Sequence, residues 1–216
     1  MNNFLNRLER SLGWLAIGNL PVYVVTAQAI LYVWTLVNPG NEHLLVMQPD
    51  LVLHGEVWRL LTFLFLIPFQ SILWAFFYLY FQYVCGVTLE QEWGSFRFTL
   101  FYLVGALGCI AGAFIAGQDL TSAFYLNETV FLAFAALYPD YEILLFLILP
   151  IRIKWLAWLT WAQILFGFVM SPWLFRLAIL VSLSNYFLFF SESHYQSLSA
   201  AWQRRQNRRR HKDLFS

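Results

Sequence analysis

The sequence predicts an all-α membrane protein, a bundle of six transmembrane helices, and three observations carry that prediction. Hydrophobic residues make up 60% of the chain and charged residues 12%, with a mean hydropathy of +0.61, outside the range of soluble domains. Apolar stretches recur at the length that crosses a hydrocarbon core about 30 Å thick, which takes about 20 helical residues. Basic residues collect on one side once those stretches are threaded through a bilayer. With 216 residues, the spans consume most of the chain and leave no room for a large soluble domain.

The first span, residues 17–37, lacks a small-residue cleavage site behind it and is expected to be retained rather than removed as a signal peptide. The apolar run 58–69 is short and interrupted by Pro68, which suits a buried or interfacial part of the first loop; a seventh span there is the rival. Residues 71–89 and 98–117 form the second and third spans. In the third, Gly105, Gly108, Gly112 and Ala116 lie on related faces, the small-residue spacing that lets helices approach closely. Residues 122–138 form the fourth span and carry Asn127, Glu128 and Thr129 in a row. The run "YEILLFLILPIRIKW" is apolar, broken by Pro150, and then basic at Arg152 and Lys154, as suits a segment at the interface. Residues 155–170 and 173–190 complete the six. The chain thus divides into a cytoplasmic N-terminal segment (1–16), a membrane domain (17–190) and a basic cytoplasmic tail (191–216).

Six spans put both termini on one side. Arg7, Arg10, Arg97, Arg152, Lys154, Arg204, Arg205, Arg208, Arg209, Arg210 and Lys212 then share that side, leaving Arg59 and Arg176 opposite, so that both termini are expected in the cytoplasm. The tail "WQRRQNRRRHK" reads as a topology anchor rather than a nucleic-acid-binding element. Cys85 and Cys109 lie inside apolar stretches and read as reduced packing residues.

Three segments carry a family resemblance. "GEVWRLLTFLFL" (55–66), with Trp58 and Arg59, resembles the Trp-Arg region in the first loop of rhomboid intramembrane proteases and derlins. "GVTLEQEWGSFRFTLFYLVGALG" (86–108), with Glu90, Gly94, Ser95 and Arg97, is similar to their junction between spans two and three. "FAALYPDYEILLFLILPIRIKWLAW" (134–158) is similar to their passage from span four to span five. The resemblance implies a six-span rhomboid-like bundle with both ends inside. Physical chemistry gives these positions structural work of their own. The Arg59 fork can brace several loop carbonyls, Trp58 suits the headgroup level, Glu90 and Arg97 can clasp the ends of spans two and three, and Gly94 can supply a turn at positive φ.

The resemblance also implies a Ser nucleophile at the start of span four and a His base on span six, and the residues depart from that pattern. A Ser hydroxyl needs a base within hydrogen-bond reach. The four histidines, His43, His54, His194 and His211, all lie outside the spans. Where the family places its His, Ser184 or Asn185 stands, and neither acts as a general base near neutral pH. The Gly-x-Ser-Gly turn is missing, Ser122 is the weak candidate nucleophile, and Trp74 and Tyr78 occupy the positions of the polar residues that line the family's oxyanion site.

Glu128 is the residue that remains to be explained, because a carboxyl within a span is costly and functional by default. Asn127, Glu128, Ser184 and Asn185 are expected to form a polar binding pocket, with Glu128 facing Asn185 or Ser184 across spans four and six. Glu128 snorkelling to the outer interface is the alternative. "Asn-Glu-Thr" matches a glycosylation sequon whose burial argues against its use. The function expected is a pseudoprotease or derlin-like protein that binds transmembrane helices of client proteins, in contact with the lipid bilayer and without cofactor, metal or nucleic acid. The alternatives are an intramembrane serine protease with a non-standard site, and, more weakly, an ion or proton path. A bacterial inner membrane is the favoured location.

Overall fold

The computed structural model describes residues 9–69, 71–145 and 149–190. The basic tail, His194 and His211, and Arg7 lie outside the described residues. The chain is mostly helical, with α1 (Leu20–Val37), α2 (Ile72–Trp93), α3 (Ser95–Ala116), α4 (Phe124–Leu137), α5 (Ile153–Met170), α6 (Trp173–Ser182) and α7 (Ser184–Phe190). Each of the six expected spans coincides with a helix or with the bent pair α6 and α7. Four have the length and apolarity to cross a membrane: α2, α3, α5, and α1 with the turns before it (Glu9–Val37). The pair α6 and α7, bent by 49° at Leu183, makes a fifth.

The helix α4 departs from the expectation of six full-length spans. Its 14 residues reach only roughly 20 Å at 1.5 Å per residue. Nine of them are buried, so this helix is enclosed by protein, and its neighbours rather than the bilayer set its length. α3 and α4 form the inner layer, with α2, α5 and the α6–α7 pair packed around them and α1 packed on α2.

The first loop does not cross the bundle as a seventh helix. It folds into short helices, Pro49–Leu53 and Arg59–Thr62, and a tight turn, Phe63–Phe65, that bury Phe63, Leu64 and Leu66. A two-residue bridge, Met47 with Leu120, ties this loop to the connection between α3 and α4, and Gln48 donates to Asp119 beside it at 2.8 Å. The run between α4 and α5 forms a β-hairpin, β1 (Glu142–Leu145) antiparallel to β2 (Leu149–Arg152), in which backbone groups satisfy one another. Arg152 and Lys154 close its base on Asp140, at 3.8 and 2.9 Å. The ammonium of Lys154, with Arg152 beyond it, holds the exposed Asp140 carboxyl below the usual carboxylate range.

Contacts at the two ends of the bundle sort the basic residues. At one end the Asn19 N–H reaches Glu90, Trp93 stacks on Phe189, and Tyr138 donates to Glu92. Arg97, Arg152 and Lys154 belong to that end. Arg59 and Arg176 belong to the other, where Arg176 donates to the carbonyls of Val169 and Ser171 at the end of α5.

The closest helix approach runs along α3. A Cβ added at Gly108 would stand 2.5 Å from the Val181 carbonyl oxygen. One at Gly112 would stand 2.9 Å from that of Ala178 and 2.8 Å from Ser182 Oγ. Gly108 and Gly112 of the small-residue stripe therefore pack directly on the backbone of α6. Gly108→Val is expected to lower the thermal midpoint in detergent by the equivalent of about 1–3 kcal/mol, the usual cost of overpacking. Gly167→Ala, where a Cβ meets nothing within 4 Å, is expected to be neutral or slightly stabilising. Equal tolerance at both positions would show that the seam does not depend on its glycines.

Candidate functional site

Three consecutive polar side chains on α4 form the site. Successive residues of a helix point about 100° apart, so Asn127, Glu128 and Thr129 cannot share one neighbour. Asn127, 8% exposed, donates its amide to the Tyr78 hydroxyl of α2 at 2.6 Å, and Gln82 donates to the same oxygen at 3.3 Å. Glu128 is half-buried, and the Thr160 side chain on α5 is the polar group beside its carboxyl. Thr129, fully buried, donates to the Leu126 carbonyl at 2.7 Å and accepts the Asn185 amide at 2.8 Å.

Asn185 is the busiest of these groups. It is fully buried, one residue into α7, and its amide also reaches the Phe101 carbonyl of α3 at 3.4 Å. Its side-chain oxygen accepts the Tyr186 N–H at 2.9 Å, one of the backbone donors left free where the helix restarts. A single side chain thus joins α3, α4 and α7. Ser184 lies beside Gly108 of α3, its Oγ 3.2 Å from where a Cβ would stand.

The expected pairing of Glu128 with Asn185 or Ser184 is therefore corrected. Asn185 takes Thr129, Ser184 faces α3, and Glu128 turns toward α5. The reason is helical phase: the face of α4 that meets α7 belongs to Thr129, and the next residue back is rotated off it. Asn127 and Asn185, both expected in one pocket, lie on different sides of α4. Tyr78, Gln82 and Thr160 were not anticipated as the partners of this cluster. Their only signal in the sequence is that each carries a hydroxyl or an amide well inside an apolar stretch.

Ser122 is buried two residues before α4. The described histidines are engaged elsewhere: the His43 ring nitrogen pairs with the Gly40 carbonyl at 2.7 Å and that of His54 with the Asp50 carbonyl at 2.6 Å, both on the exposed first loop. Among the described residues, no group of three His, Cys, Asp or Glu side chains could hold a metal ion. Cys85 and Cys109 are free and buried.

The motif residues outside the cluster occupy the two ends. Arg59 is 2% exposed; it pairs with Glu56 at 2.6 Å and donates to the carbonyls of His43 and Val46, so its fork collects three acceptors from the first loop. Trp58 beside it is half-exposed. At the opposite end, Glu90 accepts from the Asn19 N–H at 2.8 Å and from Ser95 Oγ at 2.7 Å. Gly94 turns the chain between α2 and α3 at a φ of 84°, where a side chain would be strained. Arg97, half-buried, sits in the first turn of α3.

The sequence matches no protein-family model and no curated protein.

Asn185→Leu is expected to cost about 1–3 kcal/mol, because it strips buried partners from a hydrogen-bonded network. Thr129→Val should cost less, and the double variant should fall short of the sum because both remove one shared bond. Thermal unfolding of the four proteins in one detergent measures this, and additive effects would mean that the bond does not couple α4 to α7.

Proposed function

We propose that this chain is a non-catalytic rhomboid-like membrane protein, a pseudoprotease of six spans, that binds transmembrane helices of client membrane proteins. One observation carries the proposal: the half-buried Glu128 lies on the side of α4 between α2 and α5. Those two helices each pack on α4 while making little contact with each other. A client helix seated in that gap would meet the Asn127 and Tyr78 pair on one side and Thr160 on the other, with the Glu128 carboxyl between them. In lipid, polar groups of a helix have no water to turn to, and hydrogen bonds offered by a second helix become a basis for selection. The ordered resemblance of the three segments supports the rhomboid-like assignment. A span inventory without histidine supports the absence of catalysis, since no base stands ready to activate Ser122. The gathering of Arg97, Arg152 and Lys154 at one end of the bundle supports an orientation with that end, and both termini, in the cytoplasm.

A photoreactive residue at Thr160 is expected to crosslink in membranes to a model transmembrane helix carrying one central Asn. Glu128→Gln in the same protein should preserve the yield and Glu128→Leu should lower it several-fold, in line with about 1 kcal/mol for an interhelical hydrogen bond. Equal yields with an all-Leu helix would sink client selection by this cluster. Hydrolysis of the model helix that disappears in Ser122→Ala would instead make the chain a protease with a non-standard site.

A tag placed after Ser216 should be accessible from the cytoplasmic side only, together with one at the N-terminus. Accessibility from opposite sides would require an odd number of spans and overturn the six-span arrangement.

A further inference from the structure

The outer side of α5 carries a polar group that lipid cannot satisfy. Gln163 is exposed and makes no hydrogen bond to any described residue. It lies ten residues into a helix of 18, about 15 Å along an axis of about 27 Å, too deep for its short side chain to reach either interface. Among the described residues it is the one Asn, Gln or charged side chain exposed away from the ends of the long helices. An amide in hydrocarbon without a partner is costly, and side chains of this kind are the usual glue between membrane helices.

The surface around it has the form of a helix seam. Leu159, Gln163, Phe166 and Met170, spaced alternately by four and three residues, are all exposed along the outer side of α5. That spacing follows one stripe of a left-handed helix pair. The small residue Ala162 flanks Gln163 at mid-helix, which lets two backbones approach closely enough for an amide to reach across.

We infer that this seam binds the α5 seam of a second copy of the chain, with Gln163 hydrogen-bonded to Gln163 of the partner subunit. Two copies inserted alike in a membrane are related by a twofold axis along the membrane normal, so α5 meets α5 in parallel and each residue meets its own counterpart at the same depth. Such an interface accepts at its centre only a side chain complementary to itself. A carboxylate or an ammonium would repel its copy, whereas a primary amide offers a donor and an acceptor and pairs with its copy in both directions. Pairing through this outer face leaves Glu128 and the gap between α2 and α5 free.

Mild oxidation of single-cysteine variants in native membranes tests the contact, with Cys85 and Cys109 left in place because both are buried. Leu159→Cys and Phe166→Cys should give a disulfide-linked product of twice the chain mass. Leu165→Cys, equally exposed but off the seam, should give little. In the Phe166→Cys background, Gln163→Leu should lower the dimer yield several-fold and Gln163→Asn should retain most of it. The inference is overturned by equal yields at Leu165 and Leu159, by no dimer at either seam position, by a product of a different mass, or by a yield indifferent to Gln163→Leu.

Discussion

The bundle depends on one close contact, the stripe of glycines on α3 against the backbone of α6. Helices in lipid gain no hydrophobic advantage by touching each other, because a lipid tail is as apolar as a leucine. What holds them is van der Waals contact at short range and the hydrogen bonds that such range permits. With no side chain at Gly108 or Gly112, the carbonyls of Val181 and Ala178 sit where a Cβ would be. That proximity also brings Asn185 beside Gly105 and within reach of the Phe101 carbonyl. The polar node joining α3, α4 and α7 therefore follows from the glycine seam rather than existing beside it.

From that node the rest of the interior follows by helical phase. Thr129 is held by Asn185, which fixes the rotation of α4 about its axis. Once that rotation is fixed, Asn127 points at Tyr78 of α2 and Glu128 at Thr160 of α5. The carboxyl inside an apolar stretch is explained in this way: three polar residues in a row turn one short enclosed helix toward three different neighbours. Two of the three are buried in bonds between helices, and Glu128 alone keeps part of its surface open.

Backbone groups tie the ends of the bundle. Arg59 gathers the carbonyls of the first loop, and the buried fork answers acceptors that lipid and protein would otherwise leave unmet. At the other end Glu90 takes a backbone N–H from the residue before α1 and a hydroxyl from the start of α3. These contacts set which elements lie together at each face, and so the separation of Arg97, Arg152 and Lys154 from Arg59 and Arg176.

Composition and hydropathy by themselves determined the membrane class, the positions of the apolar helices and the small-residue stripe, because these are properties of local sequence and of the solvent the chain must meet. The bracing capacity of Arg59 and the turn at Gly94 were legible for the same reason: a planar fork and a residue without Cβ have few other uses in a loop and a tight turn. Only the tertiary structure decided that α4 is shorter than the long helices around it and enclosed by them. It also decided that the run after α4 pairs as a hairpin, and that Glu128 faces α5 while Thr129 takes Asn185. Each of these depends on the rotation and depth of one helix against several others. Hydropathy carries no information on rotation when every side of a helix is apolar, so the partners of a polar residue in such a chain become known only when the packing is known.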